Sequence, residues 1–203
     1  AERMSDAGYH TAAFTGGGFV GAPLGFGQGF HEFRTRGRRF EANLPAIETW
    51  IERYGAEPFF LFVHHFNMHR EYAPPSGVLE RFADATPDAC RGVTFSNDDM
   101  RNGRRDRCIR APGGRRYLQA VYAAELAYAD ELLGRVLRAL ETAGALDDTV
   151  VVVTSDHGEE LLDHGSFDHV RTLYREVLDV PLVIAGPGVA QGIVVPDLAD
   201  STG

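Results

Sequence analysis

Lysine is absent from this sequence of 203 residues, and all twenty basic side chains are arginines. A catalytic lysine is therefore excluded from this segment. The net charge of −9 argues against a nucleic-acid surface, because neutralising phosphates requires a basic face. No apolar run reaches the length of about eighteen residues that is needed to cross a bilayer, so the sequence predicts no membrane segment.

Cysteine is also scarce, and both cysteines, Cys90 and Cys108, lie in the arginine-rich stretch Arg81–Arg116. A disulfide is expected if the protein is exported, and reduced thiols are expected in a cytosol, so the compartment stays open. The sequence begins at Ala1 inside a predicted helix end and stops at Gly203. We therefore expect an internal fragment of one domain, incomplete at both ends.

The sequence is organised around the stretch Thr149–Ile184. Its first five residues, Thr149–Val153, are all β-branched. They predict a parallel strand buried on both faces, because such strands show a continuous apolar run. Asp156 and His157 follow at its carboxyl end, where open α/β sheets bind ligands. Their oxygen and nitrogen atoms suit a divalent cation, but two ligands cannot complete a metal site, so others must come from elsewhere.

Two more histidines, His164 and His169, lie among acidic residues before a second strand-like run that opens at Val180. A single loop histidine commonly faces solvent, so the spacing alone assigns neither of them a role. Histidines also follow the predicted buried strand Pro58–Val63, since His69 lies only six residues beyond Val63.

The rest of the sequence alternates between helical and strand patterns. Gly8–Phe14 predicts a strand after a helix end at Glu2–Ala7, and Gly192–Asp200 begins a further segment. Ala46–Tyr54 predicts an amphipathic helix, with Pro45 near its first turn and Ile47, Trp50 and Ile51 on one apolar stripe. Tyr117–Gly144 predicts a second amphipathic helix, with Leu126 in its apolar stripe. This order favours an α/β fold with a mostly parallel sheet flanked by helices. Ser76–Arg116 lacks periodicity, so we expect a polar insertion loop there, at about 76–116, which could help to select a substrate.

Together these stretches resemble the sulfatase family of the alkaline phosphatase superfamily. Thr154–Glu159 matches the family pattern TSDHGE or TSDNGE, and Leu173–Ile184 matches the pattern LYxExxxVPLII that follows it. Pro58–Pro75 is similar to the family pattern PFFLFVHxxxPHxPYxPP. On that alignment His69 falls on the family's sulfate-contacting histidine.

The resemblance implies that residues 1–203 are a single incomplete catalytic domain that hydrolyses a sulfate ester. It implies a divalent metal on Asp156 and His157, and a formylglycine nucleophile made from a Cys or Ser upstream of Ala1. Calcium is usual in the family, but the nitrogen ligand of His157 favours manganese or zinc. His169, whose ordinary pKa lies near neutrality, is the expected general acid, and His69 is expected to contact the sulfuryl oxygens.

His164 is expected to bind substrate and is the next candidate for the acid. The expected substrate is a small-molecule or glycan sulfate ester. Many sulfatases carry Gly-Lys-Trp-His after the strand that resembles Gly8–Phe14, whereas this sequence has Thr15-Gly16-Gly17-Gly18. These glycines could form an anion cradle or a plain turn.

Two other functions therefore stay open. One is a phosphorus-centred relative, namely a phosphonate monoester or phosphodiester hydrolase, or a phosphoethanolamine or phosphoglycerol transferase. The transferases usually lack the LYxExxxVPL run that is present here. The other is an inactive member of the family that only binds its ligand.

Overall fold

The computed structural model describes residues 1–195. The helices and strands are α1 (Glu2–Asp6), β1 (His10–Thr15), β2 (Glu32–Thr35), α2 (Phe40–Tyr54), β3 (Phe59–Val63), α3 (Ser76–Leu79), α4 (Asn97–Arg101), α5 (Arg104–Arg110), α6 (Gly114–Thr142), β4 (Val151–Thr154), α7 (Arg175–Leu178) and β5 (Leu182–Ala185). The segment predicted at Gly192–Asp200 lies, from residue 196 onward, outside the described residues. None of the described helices is both long and apolar enough to cross a membrane.

A parallel sheet with the strand order β2-β1-β3 confirms the predicted α/β fold. β1 is the central strand, and Ala12, Ala13 and Phe14 are completely buried in it. Phe14 lies opposite Val63, so β1 and β3 end at the same edge of the sheet. β3 has only one neighbour in this sheet, and its side chains are partly buried at most, unlike the fully buried strand that was expected.

The prediction for Thr149–Val153 was wrong about pairing and burial. The strand forms, but β4 pairs antiparallel with β5, with Val152 opposite Ile184. Neither strand contains a buried residue, and Val152 is 56% exposed. A run of β-branched residues favours an extended backbone, but its burial depends on what packs against it, which the run itself does not encode.

Helix α2 begins at Phe40, six residues before the predicted start at Ala46. The backbone N–H of Phe40 donates to Oδ1 of Asn67 at 2.7 Å, so a distant side chain holds the first turn. Because proline has no N–H to donate, Pro45 was expected near the first turn, yet it lies inside the helix. The predicted apolar stripe is confirmed by the buried side chains Ile47, Trp50 and Ile51.

Helix α6, with 29 residues, is about 43 Å long at a rise of 1.5 Å per residue. It extends close to the predicted bounds, and Gly144, with a φ of 69°, follows its end. Its carboxyl-terminal half packs on α2 and β1 through Leu132, Val136 and Leu140. Leu126, predicted in the buried stripe, is 53% exposed.

The stretch predicted as a polar loop, 76–116, contains α3, α4 and α5 and forms an apolar core together with α6 and the loop after β4. Cys90 and Cys108 form a disulfide at the centre of this core. We call the set that packs around it the insertion core; its buried members are Tyr72, Cys90, Val93, Phe95, Cys108, Tyr117, Leu118, Val121 and Phe167. Phe167 comes from the loop after β4, so the insertion packs against that loop.

Candidate active site

Three imidazoles meet where the chain leaves β3 and β4. The ring centroid of His169 lies 3.9 Å from that of His157 and 5.0 Å from that of His69. We call His69, His157 and His169 the histidine cluster. Three of the side chains predicted to act together, from segments about a hundred residues apart, therefore share one place.

The tautomer of His157 is set by a hydrogen bond to the backbone. Its Nδ1 lies 2.8 Å from the carbonyl oxygen of Gly158, which can only accept, so Nδ1 carries the proton. The lone pair is left on Nε2, which lies 3.8 Å from Oδ1 of Asp156. Two ligand atoms that are each about 2.0–2.5 Å from one cation lie at most about 5 Å apart, so this pair fits a divalent cation.

His169 is held by two carboxylates. Its Nδ1 lies 2.9 Å from Oε1 of Glu159 and 3.0 Å from Oδ1 of Asp168. The Tyr72 hydroxyl donates to the other oxygen of Glu159 at 2.9 Å, and Arg70 forms an ion pair with Asp168. Burial raises the pKa of Glu159, although the hydrogen bonds from His169 and Tyr72 oppose this. The proton of the neutral ring is thus fixed on Nδ1, and Nε2 remains for other partners.

Glu159, Asp168 and His169 are a second set of potential metal ligands, with ligand atoms all within 4.8 Å of one another. The contacts of these residues favour a different role. Glu159 and Asp168 are buried and already hold Tyr72 and Arg70 in addition to His169. A cation there would compete with the Arg70 guanidinium, so we assign both carboxylates to orienting His169.

His69 lies beside two arginines. Its Nδ1 is 2.7 Å from the carbonyl oxygen of Arg70, and Nη2 of Arg38 lies 3.4 Å from the same nitrogen. Burial lowers the pKa of His69, with the hydrogen bond to Arg70 opposing this shift. Arg38 also stacks over Phe66, with Cζ 4.7 Å from the ring centroid. Because the Arg70 carbonyl oxygen can only accept, the proton of the neutral His69 ring is on Nδ1, and the Arg38 guanidinium beside it supplies hydrogen-bond donors for an anion.

His164 lies apart from the predicted partners. Its ring stacks on Tyr174 at 3.7 Å, and its Nε2 lies 3.3 Å from a carboxylate oxygen of Glu176. Its backbone N–H donates to the buried Glu160, which also accepts from Thr172. Among residues 1–195 no ring contact joins His164 to the histidine cluster. Its substrate-binding role stays a prediction.

The two histidines directly after β3 differ from each other. His65 stacks on Phe40 at 4.6 Å, and burial lowers its pKa to about 4, so this ring is a neutral part of the packing. Burial also lowers the pKa of His64, while the charge of Asp156 acts in the opposite direction.

The family model described as Sulfatase matches residues 1–200. The chain belongs to the sulfatase family. It is 42% identical over 174 residues to arylsulfatase K of Xenopus laevis, which covers 74% of this chain and 32% of that protein. It is 36% identical over 91 residues to choline-sulfatase of Rhizobium meliloti (strain 1021), covering 40% of this chain and 18% of that protein.

Solved structures show the same fold. The structure of BT4656 in complex with its substrate D-glucosamine-2-N,6-O-disulfate has a TM-score of 0.67 and 21% identity, over 92% of this chain and 55% of that one. Phosphonate monoester hydrolase SpPMH from Silicibacter pomeroyi has a TM-score of 0.62 and 19% identity, over 95% and 53%. This sulfatase-family chain thus spans about a third or less of the curated relatives it matches and about half of these solved chains.

Sulfatases generally use a divalent metal, and the geometry of Asp156 and His157 is compatible with one. The residues that orient the site were missed by the sequence reasoning, although signals for two were present. Glu159 belongs to the TSDHGE pattern, and Asp168 directly precedes His169. Arg38 carried no such signal, because it lies in a plain basic run.

Two of the three glycines after β1, Gly16 and Gly18, pack against an aromatic ring. A Cβ atom at Gly16 or Gly18 would lie 2.7 Å from the Phe66 ring. Phe66 in turn makes an edge contact with His69, at 5.4 Å between centroids. The absence of side chains at these glycines therefore lets Phe66 lie close to the sheet and support His69.

Proposed function

We propose that this chain forms part of the active site of a sulfate-ester hydrolase. The observation that carries the proposal is the meeting of His69 and His169 with the Asp156–His157 pair. Membership of the sulfatase family and the names of the most similar relatives support it.

Asp156 and His157 would hold the divalent cation through Oδ1 and Nε2. When bound, such a cation withdraws charge from the sulfuryl oxygens and favours an ionised nucleophile. An Asp-His pair favours manganese or zinc, and calcium is the usual alternative in the family.

The remaining steps fall to three protein groups. His169 protonates the leaving alcohol through Nε2, because Glu159 and Asp168 stabilise the charged ring that an acid requires. His69 contacts a sulfuryl oxygen, and when its ring is protonated it donates to that oxygen through Nε2, because Nδ1 already donates to the Arg70 carbonyl oxygen. The nucleophile is the formylglycine that the family resemblance implies, outside these residues, since Cys90 and Cys108 are consumed in the disulfide.

The proposed substrate is a small-molecule or glycan sulfate ester. BT4656, whose fold is similar, has the sulfated sugar D-glucosamine-2-N,6-O-disulfate as its substrate, and this chain's relatives include a choline-sulfatase. We propose a substrate of the same chemical class.

The test uses the full-length protein that contains this chain. It should release 4-nitrophenol from 4-nitrophenyl sulfate, and Asp156→Ala should abolish this release. Asp147→Ala is the matched control, because Asp147 is exposed and lies in the turn before β4. Absence of sulfate-ester hydrolysis by the purified, metal-loaded protein would contradict the proposal.

The phosphorus-centred alternative is tested in the same assay with a 4-nitrophenyl phosphonate monoester. The fold is also that of phosphonate monoester hydrolase SpPMH. A higher kcat/KM on the phosphonate than on the sulfate would favour that alternative. Binding of either ester without turnover would favour an inactive family member.

A further inference from the structure

A cavity of about 410 Å³ lies between helices α4 and α5 of the insertion and the loop that follows β4. Four arginines, Arg70, Arg105, Arg110 and Arg171, contribute to its lining. Within residues 1–195, the acidic side chains in the lining are Asp106 and Asp168. A local excess of positive charge in a chain of net charge −9 indicates a site for an anion.

Two of the four lining arginines form ion pairs with carboxylates, and the other two can bind an anion. Arg70 pairs with Asp168, and Arg105 pairs with Asp106 at 3.0 Å. Arg110 and Arg171 have no carboxylate within 4 Å among residues 1–195, and both are exposed. The positive charge of the cavity is therefore concentrated on guanidinium groups that can form paired hydrogen bonds with a sulfate or a carboxylate.

The cavity adjoins the histidine cluster. Arg70 directly follows His69, and Asp168 directly precedes His169. The ion pair between Arg70 and Asp168 thus lies in the wall that the cavity shares with the proposed catalytic side chains. Asp168, which lines the cavity, also lies 3.0 Å from Nδ1 of His169, so one side chain contacts both places.

The cavity also has an apolar side. Phe167 lines it, and the Arg105 guanidinium lies over the Phe167 ring, 5.5 Å from its centroid. Ile109 and Leu162 add aliphatic surface. Such a wall suits the carbon face of a sugar or a similar ring, while the free arginines suit a charged substituent on that ring.

We propose that this cavity binds a second anionic group, a sulfate or a carboxylate, on the same substrate whose sulfate ester is hydrolysed at the histidine cluster. The inference rests on the proposed function and narrows its substrate class to sulfated molecules with at least two anionic groups. Arg110 and Arg171 would be the residues that determine this specificity.

The experiment compares the full-length protein with its Arg110→Gln/Arg171→Gln variant. The substrates are monosaccharides with one sulfate ester and the same sugars with an added sulfate or uronic carboxylate. We expect the wild type to have a higher kcat/KM on the dianionic sugar than on the monoanionic sugar of each pair. In the variant the ratio of these two kcat/KM values should fall at least about tenfold, mainly because KM for the dianionic sugar rises. Arg107→Gln is the matched control, because Arg107 lies on α5 outside the lining, and should leave the ratio unchanged.

A binding experiment tests this inference separately from the proposed function. Calorimetry with non-hydrolysable mono- and disulfonate sugars should show the same preference and the same dependence on Arg110 and Arg171. A protein that hydrolyses no sulfate ester but keeps this binding preference would refute the function and leave the subsite standing. If the double variant hydrolyses sulfate esters with an unchanged ratio of kcat/KM between dianionic and monoanionic substrates, the subsite is overturned. It is also overturned if the two substitutions weaken the binding of inorganic sulfate but not the binding of the disulfonate sugars.

Discussion

Oε1 of Glu159 lies 2.9 Å from Nδ1 of His169, and Oε2 of the same carboxylate accepts the Tyr72 hydroxyl at 2.9 Å. The carboxylate is buried. It therefore links the insertion core, through Tyr72, to the imidazole proposed to protonate the leaving group. Packing of the insertion and orientation of His169 are coupled by this one side chain.

Replacing Glu159 with Gln should weaken the general acid. Glutamine keeps the shape but loses the charge that stabilises a protonated His169. We expect kcat on alkyl or sugar sulfates to fall by about ten- to a hundredfold, with a much smaller loss on 4-nitrophenyl sulfate. Tyr72→Phe is the control, because it removes only the hydrogen bond to Glu159 and keeps the ring in the core. Equal losses on both substrate types for Glu159→Gln would indicate a structural role instead.

His169 and His69 should respond differently to the leaving group. His169→Ala should reduce kcat on poor leaving groups by about a hundredfold to ten-thousandfold and affect 4-nitrophenyl sulfate far less, because nitrophenolate hardly needs a proton. His69→Ala should reduce turnover of both substrate types by similar factors, since the sulfuryl oxygens are the same in each. A uniform loss for His169→Ala would make it a binding residue, and His164 would be the next acid to test.

The metal preference should follow residue 157. His157→Asn replaces a nitrogen ligand with an amide oxygen, which suits calcium better than manganese or zinc. We expect the variant to lose manganese and zinc occupancy relative to the wild type and to regain activity best with calcium, measured by mass spectrometry of bound metals and by assays after chelation. His157→Ala should lower occupancy of every metal. Metal content that is unaffected by both changes would remove residue 157 from the site.

The disulfide should stabilise the insertion. Cys90 and Cys108 are 18 residues apart, and a loop of this size is typically worth about 3 kcal/mol of unfolding free energy. In a Cys90→Ser/Cys108→Ser variant, the backbone amides of residues 76–116 should therefore lose more protection against hydrogen exchange than the amides of the parallel sheet. If the exchange protection of residues 76–116 is the same in the variant as in the wild type, the apolar core stabilises the insertion without the disulfide.

Acid should weaken the same region through Asp99. Burial opposes its ionisation, but hydrogen bonds from Thr94, Ser96 and Arg104 hold its pKa below the ordinary value. The stability from this shift is present above about pH 4, the unfolded pKa, and is lost as the pH falls through the folded pKa. The difference in unfolding free energy between wild type and Asp99→Asn should thus be constant from pH 7 to 5 and shrink below 4. A difference that grows on acidification would contradict this assignment.

Local patterns in the sequence were sufficient to predict some parts of the fold and site. The apolar periodicity of α6 and the run Phe59–Val63 depend on neighbouring residues only, and the predicted elements formed. The roles of His69, His157 and His169 were expected from the resemblance to the sulfatase family, and their rings lie together in the structure.

Contacts between distant residues set the rest. The start of α2 depends on Asn67, 27 residues after Phe40. Similarly, Glu125 is buried mid-helix because Arg39 and the backbone N–H of Ala73 both donate to it. The partner of β4 and the direction of His164 depend on the path of the intervening loop, for which the strand pattern carries no information.

The exposed apolar side chains of β4 and β5 affect the association state of the protein in solution. Val152 and Ile184 face water in their sheet at 56% and 46% exposure. Unpaired strand edges and apolar side chains in water both favour contact with a further surface. A protein of these residues alone is therefore expected to self-associate at high concentration, and light scattering should then give a mass above that of one molecule.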